Sequence, residues 1–378
     1  MKIAFDLRGI NKPGIGRYMK SLAEGTIARA PEHEYLLLMP ENAVDRIDVP
    51  FLSNVQKIAP PLKYYSFREQ LEIPRILRRE KVDLLHSPHF NLPLMRACPA
   101  VVTIHDVIYL VFPEELPSRI GRMYYRAMIS ASVRLADSII TVSEFSKKEI
   151  VRLLHVDAAR IQVIPSGIAR TFQKVTDLRR LESMRKRYGI ERDYILYTGI
   201  YRRRKNHAGL LHAFREFVRQ GHRAQLVVAG PLGEGENDLR RLAAELEIGN
   251  DTVIAGFVSE PDLLALYSEA RVYACPSLYE GFGFTVLEAM ACGVPVVCSA
   301  EASLPEVAGE GALYANPRIP EEFADALARA FSNDTLRAEL IQRGSRNLGR
   351  FSWNAVVDET LAIYHSVLDV PGSQEGCV

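Results

Sequence analysis

Two glutamates, Glu280 and Glu288, bracket a glycine-bearing turn in Tyr279-Glu-Gly-Phe-Gly-Phe-Thr-Val-Leu-Glu288. Gly281 and Gly283 let a ligand approach the backbone closely. The stretch Phe284–Cys292 reads as a helix that Gly293 ends. A helix start offers unpaired N–H groups and the positive end of a dipole, which suits a diphosphate. Glu280 then sits in the loop and Glu288 one turn into the helix, so the two carboxylates can grip separate parts of one long ligand. An equally simple alternative is a plain strand–loop–helix turn, with Glu280 as an N-terminal charge and Glu288 on a solvated face.

A second segment, Tyr197-Thr-Gly-Ile-Tyr-Arg-Arg-Arg-Lys-Asn206, follows an apolar run and precedes a helix whose cap is Asn206. Arg202, Arg203, Arg204 and Lys205 bring cations of the kind that stabilise a departing diphosphate. A solvated basic loop is the commoner fate of such a run, but the carboxyl end of a strand favours function. In Arg8-Gly-Ile-Asn-Lys-Pro-Gly-Ile-Gly-Arg-Tyr18, Gly14 and Gly16 are expected to leave amides free for a phosphate or sugar. The Gly-x-Gly-x-x-Gly dinucleotide spacing is absent there. His105-Asp106, at another strand exit, can touch a sugar hydroxyl or move a proton; a packed histidine beside a capping aspartate is the alternative. His86 and His89 read as cleft-wall residues. No cluster has metal-ligand spacing and no Asp-x-Asp pair is present, so no metal and no cofactor is expected.

Strands must present these loops. Short apolar runs at Ile3–Asp6, Tyr35–Met39, Val55–Ala59, Val82–His86, Ala100–His105, Ser138–Val142 and Ile161–Ile164 alternate with helical patterns such as Gly16–Ala30 and Ser143–Leu154. The second half repeats the scheme at Tyr194–Thr198, Gln225–Ala229, Thr252–Ala255, Val272–Cys275 and Val294–Cys298, with helices at Asn206–Arg219, Leu239–Leu246, Glu260–Glu269 and Pro320–Phe331. Continuous apolar runs without alternation mark strands buried on both faces of a parallel sheet. The fold class is α/β, two Rossmann-like domains facing a central cleft. The expected boundary follows Ile164-Pro-Ser-Gly167, giving one domain at 1–170 and a second at 171–354.

The chain has 378 residues, enough for two cores, and a formal net charge of +1, which argues against a nucleic-acid binder. Its five cysteines (Cys98, Cys275, Cys292, Cys298 and Cys377) form no Cys-x-x-Cys pair; four sit in apolar surroundings and read as free thiols of a reducing compartment. The start reads as a strand, not a signal peptide, and no apolar run reaches the ~18 residues of a membrane span. A cytoplasmic protein is expected, with peripheral contact at the inner face of a membrane allowed. The tail at 371–378 is expected to fray.

Taken together these segments resemble the retaining glycosyltransferases of family four, which have the GT-B fold, over nearly the whole chain. Glu280–Glu288 is the most specific match, joined by Arg204-Lys205-Asn206, Gly14-Ile-Gly-Arg-Tyr18, His105-Asp106, Thr141-Val-Ser-Glu-Phe-Ser146 and Val163-Ile-Pro-Ser-Gly167. The chain looks most like the bacterial polysaccharide mannosyltransferases. The resemblance implies a nucleotide-sugar donor, GDP-mannose in first place, and a polysaccharide or lipid-linked acceptor. It makes 1–170 the acceptor-side domain, with Asp106, His89 and Tyr18 as acceptor-side candidates, and 171–354 the donor-binding domain, with a C-terminal helix at 355–370 packing back on the first domain. It implies that Glu280 contacts the donor sugar, the backbone of Phe282, Gly283, Phe284 and neighbouring Thr285 holds sugar hydroxyls, and Glu288 binds the ribose. Arg204 and Lys205 then neutralise the diphosphate with help near Gly16, His105 touches the transferred sugar, and Phe257 and Val258 border the base. Some members carry a basic residue where this chain has Ile200, a role left to Arg202 or Arg203.

The segment Ser118–Leu135 holds Arg119, Arg122, Arg126 and Arg134 and no acid, and 63–81 carries six cations against three acids. A basic amphipathic helix can lie on anionic lipid, although a solvated face is the commoner outcome. The competing readings of the whole are a sugar-nucleotide epimerase or phosphorylase on the same fold, and a non-catalytic nucleotide-sugar-binding module.

Overall fold

The computed structural model describes residues 1–12, 14–48, 53–95 and 97–369. Cys377, the 371–378 tail and the last residue of the expected 355–370 helix lie outside them. The chain divides into two compact units, Met1–Gly167 with Ser352–Val378, and Ile168–Phe351.

In the first unit, seven strands form one parallel sheet: β1 (Lys2–Asp6), β2 (Glu34–Leu38), β3 (Val55–Ile58), β4 (Leu84–Ser87), β5 (Ala100–Thr103), β6 (Ser138–Thr141) and β7 (Ile161–Val163). Their order is β3-β2-β1-β4-β5-β6-β7. Helices α1 (Ile15–Arg29), α2 (Glu69–Arg79), α3 (Ile108–Val111), α4 (Arg119–Leu135) and α5 (Glu144–Leu154) connect them. The all-apolar strands are explained by cores on both sheet faces: Ala4 and Val102 face one, Ile3, Phe5 and Val101 the other. Ser143 caps α5, its Oγ accepting from the Ser146 amide at 3.0 Å.

The second unit repeats the plan with six parallel strands: β8 (Tyr194–Thr198), β9 (Gln225–Ala229), β10 (Thr252–Gly256), β11 (Val272–Cys275), β12 (Val296–Ser299) and β13 (Ala312–Ala315). Their order is β10-β9-β8-β11-β12-β13. Its helices are α6 (Leu178–Tyr188), α7 (His207–Arg219), α8 (Gly235–Glu245), α9 (Glu260–Glu269), α10 (Phe284–Ala291), α11 (Leu304–Ala308), α12 (Pro320–Ser332) and α13 (Asp334–Asn347). In both units the strand order reverses beside the first strand, β1 or β8. That is the switch point where loops at the carboxyl edge part to admit a ligand.

The last helix, α14 (Trp353–Leu368), belongs to the first unit and begins before the expected 355. It packs on α1, where Arg29 pairs in two-pronged fashion with Asp358 at 2.7 and 3.0 Å. Strand β13 went unpredicted, and α8 starts at Gly235 instead of Leu239. Cys98, Cys275, Cys292 and Cys298 are buried free thiols. No helix among the described residues is long and apolar enough to cross a membrane.

Candidate functional site

The second unit brings Arg204, Lys205 and Glu280 together. After β8 the chain passes Ile200, makes a tight turn at Arg203–Lys205 and enters α7. The Leu278 amide donates to the Arg204 carbonyl at 2.7 Å, tying this turn to the loop after β11. Glu280 lies in that second loop and is buried. The Lys205 ammonium donates to its Oε1 at 2.5 Å, and the Arg204 guanidinium reaches its Oε2 at 3.5 Å. Burial alone would push the Glu280 carboxyl up. The Lys205 and Arg204 charges, with hydrogen bonds from Lys205 and Ser277, outweigh it and hold the carboxyl below its usual value. Glu280 is thus a buried, ionised carboxylate.

Ser303 fixes the turn itself: its Oγ donates to the carbonyls of Glu280 at 2.9 Å and Phe282 at 2.8 Å. Gly283 then starts α10 at φ 109°, a left-handed conformation. That φ favours glycine, and a Cβ there would also press on Leu304 Cδ2 at 2.8 Å. Phe282 is buried, while Phe284 and Thr285 are half-buried at the helix start.

Glu288 is not on a solvated face, as the plainer sequence reading had it. It is 2% exposed and accepts from the Tyr267 hydroxyl at 3.1 Å. Thr198 Oγ1 lies 2.7 Å from the Tyr267 hydroxyl and 3.1 Å from that of Tyr273. A carboxylate, two phenols and a threonine hydroxyl therefore line the inner face of α10 and the end of β8. Thr198, Tyr267, Tyr273, Ser277 and Ser303 were not singled out from sequence. The signal was there: a tyrosine in a wholly apolar strand needs a partner for its hydroxyl. Beyond β10, Phe257 is 81% exposed and Val258 is buried.

Asn206 stands at the start of α7 but does not cap it. It takes a left-handed conformation at φ 56°, and its side-chain amide donates instead to the carbonyls of Pro276 at 3.2 Å and Pro317 at 2.7 Å. It clamps the basic turn to neighbouring loops.

The first unit places His105, Asp106, His89, Tyr18 and the Gly14–Gly16 turn at its own carboxyl edge. The His105 ring stands edge-on to Tyr18, with centroids 4.6 Å apart, and its Nε2–H donates to the Pro88 carbonyl at 3.0 Å. Burial pushes His105 down to about 4, against the raising effect of that bond, so it is neutral at physiological pH. Asp106 Oδ1 accepts from the Ile108 amide at 3.0 Å, which makes it a cap for the turn into α3. His89 Nδ1 accepts from the Phe90 amide at 2.7 Å.

Two expectations are corrected here. Gly16 offers no free amide: its N–H donates to the Lys12 carbonyl at 2.8 Å. Glycine is needed there because a Cβ would sit 2.0 Å from the Ile10 carbonyl oxygen. His86 is no cleft-wall residue. It is fully buried, with Nδ1 2.5 Å from the Tyr364 hydroxyl of α14 and Nε2 2.9 Å from Thr103 Oγ1, and burial pushes it down to about 3. Among the described residues, no group of three or more His, Cys, Asp or Glu is placed to hold a metal ion.

This arrangement can hold an elongated anionic ligand in the second unit. Residues 182–347 match the family described as Glycosyl transferases group 1, and residues 13–172 match Glycosyltransferase Family 4. The chain is 32% identical to the O-antigen chain mannosyltransferase B of Escherichia coli, over 96% of this chain and 99% of that protein. It is 28% identical to an uncharacterized glycosyltransferase of Methanocaldococcus jannaschii, covering 95% and 96% of the two chains. Among solved structures, Anabaena Alr3699/HepE in complex with UDP and glucose superposes with a TM-score of 0.76 at 19% identity, covering 97% of this chain and 100% of that one. With both family matches, a relative similar from end to end and two Rossmann-like parallel sheets, the chain belongs to the family four (group 1) glycosyltransferases of the GT-B fold.

Proposed function

We propose that this glycosyltransferase moves mannose from GDP-mannose, with retention of anomeric configuration, onto a polysaccharide or lipid-linked saccharide precursor. The observation that carries the reading is the Lys205–Glu280–Arg204 cluster beside the start of α10, with Glu288 buried further along that helix. The similarity to an O-antigen chain mannosyltransferase favours mannose.

In this reading Glu288 takes the ribose hydroxyls and Phe257 and Val258 border the base. Arg204 and Lys205 meet the diphosphate. The turn from Phe282 through Gly283 and Phe284 to Thr285 holds sugar hydroxyls, and Glu280 steadies the sugar and the charge that grows at its reacting carbon. His105, neutral and with its Nε2–H given to the Pro88 carbonyl, meets the transferred sugar through Nδ1, which accepts from a sugar hydroxyl, and the first unit also supplies the acceptor residues Asp106, His89 and Tyr18. Gly14 shapes the turn that brings Tyr18 to His105. The acceptor oxygen bonds to the anomeric carbon on the face from which the phosphate departs, and the departing phosphate takes the acceptor's proton. Glu280 has no nucleophilic role in this scheme, because front-side attack with the departing phosphate as base needs none. No metal is needed in this scheme, since Arg204, Lys205 and the start of α10 supply the positive charge.

The acceptor-side unit also bears an apolar and basic surface. Phe67, Ile120 and Met123 are 83%, 80% and 73% exposed, and the exposed Arg68, Arg119 and Arg126 lie near them in sequence. This combination suits an anionic bilayer and a peripheral, inner-face location.

A thermal-denaturation panel with GDP, UDP, dTDP and ADP tests the donor assignment. GDP at ~100 times its dissociation constant should add about 2.7 kcal/mol of stability, more than the other nucleotides give at the same concentration. A chain that no nucleotide stabilises would overturn the proposal.

A further inference from the structure

Between β1 and α1 the loop carries two cations in unlike settings. The Arg8 guanidinium is fully matched: Nε and Nη2 donate to Asp6 at 2.8 and 2.7 Å, and Nη1 donates to Glu69 at 2.7 Å. Glu69 is matched in turn, accepting also from Asn91 at 2.7 Å, Tyr124 at 3.2 Å and the Tyr65 amide at 3.2 Å. Both nearby carboxylates are therefore occupied. Lys12 has neither. Its partly buried ammonium lies 4.1 Å from the Tyr65 ring centroid and 5.1 Å from that of Tyr64, and donates to the Tyr65 hydroxyl. No carboxylate among the described residues reaches it.

Aromatic rings wall this ammonium. The Tyr64 and Tyr65 rings stack at 4.2 Å, and Tyr65 stacks on Phe90 at 5.4 Å with an interplanar angle of 12°. Tyr65 has φ 66°, a left-handed conformation that a bulky side chain adopts only under constraint and that is typical of ligand-binding sites. The Tyr65 hydroxyl lies 3.4 Å from His89 Nε2. A point charge with three donors, flanked by hydroxyl and imidazole groups, fits a compact anion with several acceptor oxygens.

We propose that Lys12, framed by Tyr64, Tyr65 and His89, binds a phosphate group carried by the acceptor. The proposal rests on the transferase reading above. It gives the acceptor-side unit its own anion site, separate from Arg204 and Lys205. Burial pushes Lys12 down to about 8, so the site loses its charge as pH rises past that value until an anion binds. The groups facing it are Arg8 in its own loop, Tyr64, Tyr65 and Glu69 from the segment into α2, and His89 after β4. His89 is kept neutral by burial first and then by the Lys12 charge.

The test uses the full chain with saturating GDP and titrates inorganic diphosphate into wild type, Lys12→Met and Lys12→Arg. Lys12→Met should weaken binding about tenfold or more, with GDP affinity unchanged. Wild-type affinity should fall between pH 7 and pH 9, and Lys12→Arg should bind without that fall. In turnover, Lys12→Met should raise the KM of a sugar phosphate or of a lipid-linked saccharide diphosphate, whichever is the true acceptor, and leave that of an unphosphorylated saccharide unchanged. Equal diphosphate affinity in wild type and Lys12→Met, or a loss of GDP affinity in its place, would overturn the proposal. Failure of the transferase reading shows separately, as a wild-type chain that binds no nucleoside diphosphate.

Discussion

Removing the Lys205 ammonium should leave a signature in stability as well as in turnover. The contact with Glu280 is 2.5 Å, and the two side chains are 13% and 9% exposed. At an effective dielectric of about 20, charges at that distance attract by about 6–7 kcal/mol, much of it offset by desolvation. Truncating one partner of such a pair costs about 3–5 kcal/mol. Arg204 remains at 3.5 Å, so Lys205→Ala should cost about 3 kcal/mol near pH 7. The sign with pH follows from Glu280. In wild type its carboxyl lies below the usual value, so its contribution is present above the unfolded pKa and is lost as pH falls through the folded one. In Lys205→Ala burial dominates and the carboxyl rises. It then takes up a proton as pH falls from 7 toward 5, and the deficit relative to wild type narrows. Denaturant unfolding of both proteins at pH 7.5, 6 and 5 reads this, with other titrating groups cancelling in the difference. A deficit that stays constant over this range, or widens toward pH 5, would refute the argument.

Three more substitutions probe other parts of the account. Gly16→Ala forces a Cβ to within 2.0 Å of the Ile10 carbonyl oxygen and should cost about 3 kcal/mol; a denaturation midpoint equal to wild type would contradict the close approach. Glu288→Gln keeps an acceptor for the Tyr267 hydroxyl, so the fold should survive while GDP affinity in calorimetric titration falls about tenfold; unchanged affinity would remove Glu288 from the ribose role. Replacing Phe67, Ile120 and Met123 together by Ser should reduce partition onto anionic liposomes about tenfold or more without changing GDP binding; equal sedimentation with liposomes would dismiss the membrane surface.

Legibility in the sequence depended on whether the deciding contact was local. Runs such as Tyr194–Thr198 and Gln225–Ala229 announce strands buried on both faces because no position alternates, and both occur as read. The helix after Gly283 is equally plain from its glycine start and apolar body. Strand β13, only Ala312–Ala315 beside Gly309 and Gly311, has too little pattern to announce itself. Glu288 is buried only because Tyr267, from α9, comes to meet its face of α10. His86 sits at a strand exit, where a histidine suggests a site. Its partner, Tyr364, lies 278 residues away on α14, and that distant helix turns it into a core residue. At Gly16 and Asn206 the sequence marked positions that matter but misread their purpose. Gly16 makes room for the Ile10 carbonyl, and the left-handed turn at Asn206 aims its amide away from α7.

The central claim is tested most directly by incubating the enzyme with GDP-mannose and a saccharide acceptor and reading the anomeric configuration of the product by NMR. The account predicts a mannoside with the same configuration as the donor, formed without added divalent metal and reduced by orders of magnitude in Lys205→Ala. A product of inverted configuration, or no mannosyl transfer from GDP-mannose, would contradict it.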